Sequence, residues 1–266
     1  MAKTLYSELR REWFLWRTYQ VNAISSLVMW GVIFPILLVT VQSVATNSGV
    51  YFGPEEQAQS LIGFIVWKLC MGVLMAVPAM IEEEARTGTL ENVLLSTRLP
   101  FRALLFCRIL ARSLRSLMET LLLASVLMLV FRLPLVFSLV AWLVTGLTLA
   151  GVWGVGFGVA GLALVYKSVS SVTGLLANLS FLISGALVPI GSLGVLSLGL
   201  KLFFPMTWGI EILREVVLND ALLIDSMQIT ALLGLAFQSA LMLISGLVIF
   251  EKALKKARQK GELGVY

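Results

Sequence analysis

The chain has 266 residues, 59% hydrophobic and only 13% charged, where a soluble domain carries about a quarter charged residues. That balance excludes a water-soluble globular protein and makes lipid the solvent. With no histidine and only two cysteines, Cys70 in an apolar run and Cys107 in a basic one, neither a metal site of the usual spacing nor a disulfide framework is expected.

Residues 3–20 are predicted to form a helix on the membrane surface. Leu5, Tyr6, Leu9, Trp13 and Trp16 share one face, with Lys3, Arg10 and Arg17 roughly opposite, while Glu12 and Phe14 blur the stripe. The two tryptophans suit the headgroup level, where aromatic rings anchor. Arg10, Arg11, Glu12 and Arg17 stand where a cleaved leader would need its apolar core, so no cleavage is expected. A first span is predicted over 24–44, interrupted only by Pro35; about 20 helical residues rise about 30 Å, enough for the hydrocarbon core. Residues 45–59 contain Glu55 and Glu56 but no Lys or Arg, as expected of an outer loop. The second span, 60–81, returns the chain to the cytoplasm and delivers a charged island over 82–98.

That island is more than a chain reversal requires. Thr89 can cap a short helix from Leu90, which would place Leu90, Val93 and Leu94 on one side, with Glu91 and Asn92 in the polar first turn where negative charge suits the helix dipole. Two readings stand: an ordinary cytoplasmic loop with its charges in water, or a docking helix pressing an apolar edge onto a soluble partner.

Beyond it, the basic amphipathic stretch 101–118 holds Arg102, Arg108, Arg112 and Arg115 and is expected to extend the third span, 114–131, below the membrane. Arg132-Leu133-Pro134 makes a short outer turn, 139–166 a long fourth span, Lys167-Ser168 a tight cytoplasmic turn and 169–189 the fifth span. Residues 190–228 are punctuated by Gly191, Gly194 and Gly199 before Pro205 opens a helix with Trp208, Glu211, Arg214 and Glu215. Neither piece suits a span, and both are read as re-entrant or interfacial helices on the outer side. The sixth span, 229–250, leads into a tail with Lys252, Lys255, Lys256, Arg258 and Lys260. Of the 20 basic residues, only Arg132, Lys201 and Arg214 fall on outer loops and Lys68 within a span. The positive-inside bias therefore places both termini in the cytoplasm.

Gly156-Phe157-Gly158-Val159-Ala160-Gly161 matches the dinucleotide-binding fingerprint by letter, but that fingerprint needs a preceding strand and a helix opening at the glycines. Inside a span it reads as a small-residue face, with Gly154 and Gly158 spaced for close helix contact. No phosphate-binding loop occurs, so any ATP is bound by another polypeptide. Lys68 costs about 2.5–3.5 kcal/mol at a helix centre; it either snorkels outward, faces a polar interior, or meets an anionic substrate group. Glu119 is within reach of Lys68 but four residues after Arg115, where a local ion pair is simpler. Asn178 and Gln238 read as interhelical hydrogen-bonding groups. No arrangement for enzyme chemistry is present.

Glu84-Ala85-Arg86-Thr87-Gly88-Thr89-Leu90-Glu91-Asn92-Val93-Leu94-Leu95-Ser96 resembles the loop after the second membrane helix in type-2 ABC exporter permeases: an acidic–basic pair, Gly-Thr-Leu-Glu, then a Leu pair. The family's following proline comes later here, at Pro100, after Thr97 and Arg98. The short outer helices between the fifth and sixth spans also resemble that family. The resemblance implies an all-α membrane protein of six transmembrane helices forming one permease domain over 1–266, with 3–20 as interface helix, 82–98 as coupling loop and 190–228 as outer segment. It further implies a plasma (inner) membrane location and a homo- or heterodimer of permease chains, each docked on an ATP-binding cassette subunit that holds ATP and magnesium, with no cofactor in this chain and no nucleic-acid partner. Glu84, Arg86, Gly88, Thr89, Leu90, Glu91, Leu94 and Leu95 would form the coupling element; Lys68, Glu119 and Asn178 are candidates for pathway or intramembrane polar roles. A small amphiphilic or lipid-like cargo is favoured, since no polar or aromatic lining for a long polysaccharide is seen. The alternatives are a polysaccharide or glycolipid exporter and a non-transporting membrane scaffold; a secondary transporter would show an internal repeat, and none is found.

Overall fold

The structure, a computed structural model, describes residues 2–49, 51–87, 101–133, 138–166, 169–187, 204–218 and 226–260. Among the described residues eight helices and no strand occur: α1 Ala2–Thr18, α2 Gln20–Asn47, α3 Pro54–Arg86, α4 Phe101–Phe131, α5 Leu139–Tyr166, α6 Ser170–Ile183, α7 Pro205–Leu218 and α8 Ser226–Lys260. Five of them, α2, α3, α4, α5 and α8, are long and apolar enough to cross a membrane. The basic stretch over 101–118 is indeed one helix with the third apolar run, and the Lys-rich tail continues α8 to Lys260.

Burial sorts the spans. The apolar window of α3 is 83% buried and that of α5 67%, against 11% for α2. α5 packs against α3, α7 and α8, and α3 also against α4, α6 and α7, so these two helices form the centre. α2 is held chiefly by aromatic rings: Trp30 lies edge-on to Trp67 at 5.6 Å and Phe34 sits 4.8 Å from Phe64. Such ring pairs add about 0.5–1.5 kcal/mol each beyond area burial. The rest of α2 presents Val21, Ile24, Val28, Val32 and Val39 outward, as a lipid-facing helix should.

The glycines of α5 divide differently from the spacing argument. α5 and α8 cross backbone to backbone where a Cβ on Gly246 would overlap the Gly154 carbonyl and one on Gly154 would overlap that of Met242. Gly158, expected to share this contact, has open space around it. Gly161 takes its place, since a Cβ there would lie 3.1 Å from Phe250 Cα, and Gly156 faces Val77 of α3. A full helical period brings Gly154 and Gly161, seven residues apart, to the same side, whereas four residues overshoot a turn.

The fifth apolar run, predicted over 169–189, forms a helix of only 14 residues, α6. Gly185 adopts φ +76° just past its end, the left-handed conformation with which helices terminate. Arg214 of α7 seals that end: Nη2 donates to the carbonyls of Gly185 at 2.7 Å and Ala186 at 3.1 Å, and Nε donates to the Gln59 carbonyl of α3 at 2.8 Å. Ser60 Oγ adds a bond to the Leu187 carbonyl at 2.8 Å. One buried guanidinium thus ties α3, α6 and α7. Arg214→Met removes this donor from three carbonyls, each worth about 1–3 kcal/mol if left buried and unpaired. Its thermal midpoint in detergent is expected to fall well below that of the unaltered chain, and Arg214→Lys, lacking the fork, is expected to recover only part of the loss. An unchanged midpoint would remove Arg214 from this role. The predicted helix from Pro205 is therefore present and mostly buried, while the Gly-punctuated piece before it lies outside the described residues.

Candidate functional site

The surface helix docks with the opposite polarity from its sequence stripe. Glu8 and Glu12 are buried, at 8% and 3% exposed, while Tyr6 and Trp13 stay exposed. The reason is α4. Arg108, Arg112 and Arg115 project at intervals of four and three residues, matching the four-residue step from Glu8 to Glu12, so the two helices mesh charge to charge. Arg108 Nε meets Glu8 Oε1 at 3.1 Å; Arg112 and Arg115 reach Glu12 at 3.4 and 3.1 Å; Arg11 closes the α1 side on Glu8 at 3.1 Å. Glu12, which seemed to spoil an amphipathic stripe, is the most deeply buried charge of this helix.

The same ladder reaches the end of α3. Arg108 Nη1 also pairs with Glu84 Oε1, so one guanidinium that is 8% exposed joins α1, α3 and α4. Two residues earlier, Glu82 Oε2 accepts the backbone N–H of Val169, the residue preceding α6, at 3.4 Å. The acidic cluster at the start of the island is thereby divided: Glu82 holds α6, Glu84 holds α4 and α1, and Glu83 is exposed. Arg86 is the last residue of α3. Gly88, Thr89, Leu90, Glu91, Leu94 and Leu95 lie outside the described residues.

Beside the ladder, α2, α3 and α4 enclose a cavity of about 380 Å³ whose walls include Trp30, Trp67, Lys68, Arg112, Arg115 and Glu119. Lys68 does not snorkel. It is 7% exposed, and Nζ donates to Thr120 Oγ1 at 3.4 Å. Glu119 pairs with Arg115 at 3.0 Å as an i, i+4 neighbour. An apolar groove of about 330 Å³ runs along the other side of the Arg115–Glu119 pair, between α1 and α4, walled by Trp13, Trp16, Leu114, Met118 and Leu122. Asn178 is exposed on α6, away from these walls, and Gln238 is buried. The described residues contain no cluster of groups that could hold a metal ion.

Long apolar helices around a central pair, with arginines and glutamates neutralised in a ladder at one end and a charged cavity beside it, define a multi-pass membrane transport protein. The ABC-2 type transporter family model matches residues 4–218, most of the chain, and the chain belongs to that family as a transmembrane permease subunit. Membership implies an ATP-binding cassette partner in general terms. No curated protein matches the chain.

Proposed function

We propose that this chain is the permease of an ATP-driven exporter, working as a dimer in the plasma membrane with both termini in the cytoplasm and carrying a small amphiphilic or lipid-like molecule. The observation that carries the reading is the Glu84–Arg108–Glu8 link. It stands immediately before the Gly88–Leu95 segment that resembles a coupling helix, and it fastens that segment's root to three helices at once. A cassette subunit closing on ATP would push on Leu90 to Leu95. The push would pass through α3 to α4 and α1 as one body, because their shared charges are buried and held on several sides. ATP hydrolysis belongs to the partner subunit, which would hold the nucleotide and magnesium.

The test is a detergent pull-down of the tagged chain from its native membrane with mass spectrometry. A stoichiometric ATP-binding cassette subunit is expected, and it should be lost when Leu90 and Leu94 are both changed to Asp. Gly88→Pro and Glu91→Arg are expected to reduce coupled transport at least tenfold, equivalent to about 1.4 kcal/mol of coupling, with normal membrane insertion. Recovery of the chain with no cassette subunit would transfer the reading to a scaffold without transport.

A further inference from the structure

The cavity between α2, α3 and α4 carries a charge that the ladder does not use. Arg112 and Arg115 spend their charges on Glu12 and Glu119. Lys68 is as buried as they are, yet among the described residues no carboxylate lies within ion-pair distance of its ammonium, which meets only a neutral hydroxyl at 3.4 Å. An ammonium offers three donors, and a cation kept in a membrane helix is costly unless something pairs it. The remaining walls of the cavity are apolar or aromatic, with Trp30, Trp67 and Met71 among them. A cationic end in an aromatic box, next to an apolar groove that starts across a single ion pair, has the shape of an amphiphile with an anionic head.

We propose that the Lys68 cavity is a binding site for the anionic headgroup of an amphiphile, with Lys68 as the pairing cation and Arg112 and Arg115 as flanking donors. The tail would run along the groove walled by Trp13, Trp16, Leu114, Met118 and Leu122. From residue 111 to 122 α4 rises about 16 Å, room for an alkyl chain of about a dozen carbons. Phosphate or carboxylate heads satisfy the chemistry equally, and the molecule can be cargo or a resident lipid. The inference rests on the permease reading for the cargo case only.

Dodecyl phosphate titrated into the full chain in dodecyl maltoside, followed by calorimetry, tests the site, because the micelle supplies the same tail without the charge. Saturable binding is expected. Lys68→Gln should weaken it at least about tenfold, the scale of one charge-assisted hydrogen bond. The double change Lys68→Thr with Thr120→Lys, which moves the cation across a 3.4 Å gap, should restore most of it. Equal affinity in Lys68→Gln overturns the proposal, as does displacement of dodecyl phosphate by inorganic phosphate at equal concentration, which would mark a simple anion site. Should Lys68→Gln not fold, Ser26→Trp, which fills the cavity from α2, replaces it, and unaltered affinity there overturns the proposal too. A phospholipid that survives purification and is found by mass spectrometry identifies the resident-lipid source; faster ATP hydrolysis on adding dodecyl phosphate to the complex identifies cargo. Both support the site. Lost binding beside a recovered cassette subunit would sink the site and keep the permease reading, and the reverse pattern would do the opposite.

Discussion

Gly246→Ala is expected to prevent the folded chain from accumulating, or to lower its melting midpoint in detergent by far more than an ordinary surface change. The added methyl would overlap the Gly154 carbonyl, and the obstacle is backbone, which cannot rotate aside as a side chain can. Overpacking a well-filled interior costs about 1–3 kcal/mol when side chains can yield; here two central helices must separate instead, along the largest helix–helix contact of the fold. The matched control is Gly158→Ala on the same helix, where nothing lies within reach of a new Cβ. It should melt with the unaltered chain, and gain slightly if anything, since alanine is the better helix former. Fluorescence-detected size exclusion and a thermal ramp compare the two directly. Equal behaviour of both variants would mean that α5 and α8 do not cross at Gly154 and Gly246.

Arg108→Met is expected to have the second large effect. It leaves Glu8 and Glu84, 10% and 15% exposed, facing each other without the cation that joins them. Removing one partner from a buried ion pair costs about 3–5 kcal/mol, most of it the penalty of the stranded charge. Detachment of α1 from α4 should follow, visible as new protease sensitivity before Thr18. Adding Glu8→Gln and Glu84→Gln to Arg108→Met removes the stranded charges and is expected to recover much of the stability. It should not recover coupled transport, because the root of the Gly88–Leu95 segment would then be fastened only by neutral groups. Arg108→Lys should fall between, keeping the charge but not the two-pronged geometry. If the triple variant transports normally, the ladder is structural support alone and the coupling route lies elsewhere.

Much of the fold was legible because membrane helices announce themselves by length and apolarity. The bounds 139–166 were met by α5, the helix from Pro205 ends at Leu218, and the basic run over 101–118 is continuous with the span that follows. The Arg115–Glu119 pair also follows from its four-residue spacing. α6 was read too long because hydropathy ignores a glycine at positive φ and an arginine arriving from a distant helix to hold the freed carbonyls. The orientation of α1 was misjudged for a related reason: apolar stripes are visible in one helix, whereas a buried row of glutamates makes sense only beside its arginines. The signal was present as matching intervals, Glu8 and Glu12 against Arg108, Arg112 and Arg115, but 100 residues apart in the chain.

Composition and periodicity alone thus determined the solvent, the helices and most of their ends, because each of those depends on how a short stretch meets lipid or water. Which spans are central, which glycines touch, where Glu84 is fastened and what surrounds Lys68 depend on neighbours brought together by packing. A lysine in a span reads the same in sequence whether it snorkels or lines a cavity. Only the placement of α2 and α4 around α3 put Lys68 beside Thr120, within a chamber of tryptophans and arginines, since pairing and desolvation are properties of a site and not of a residue.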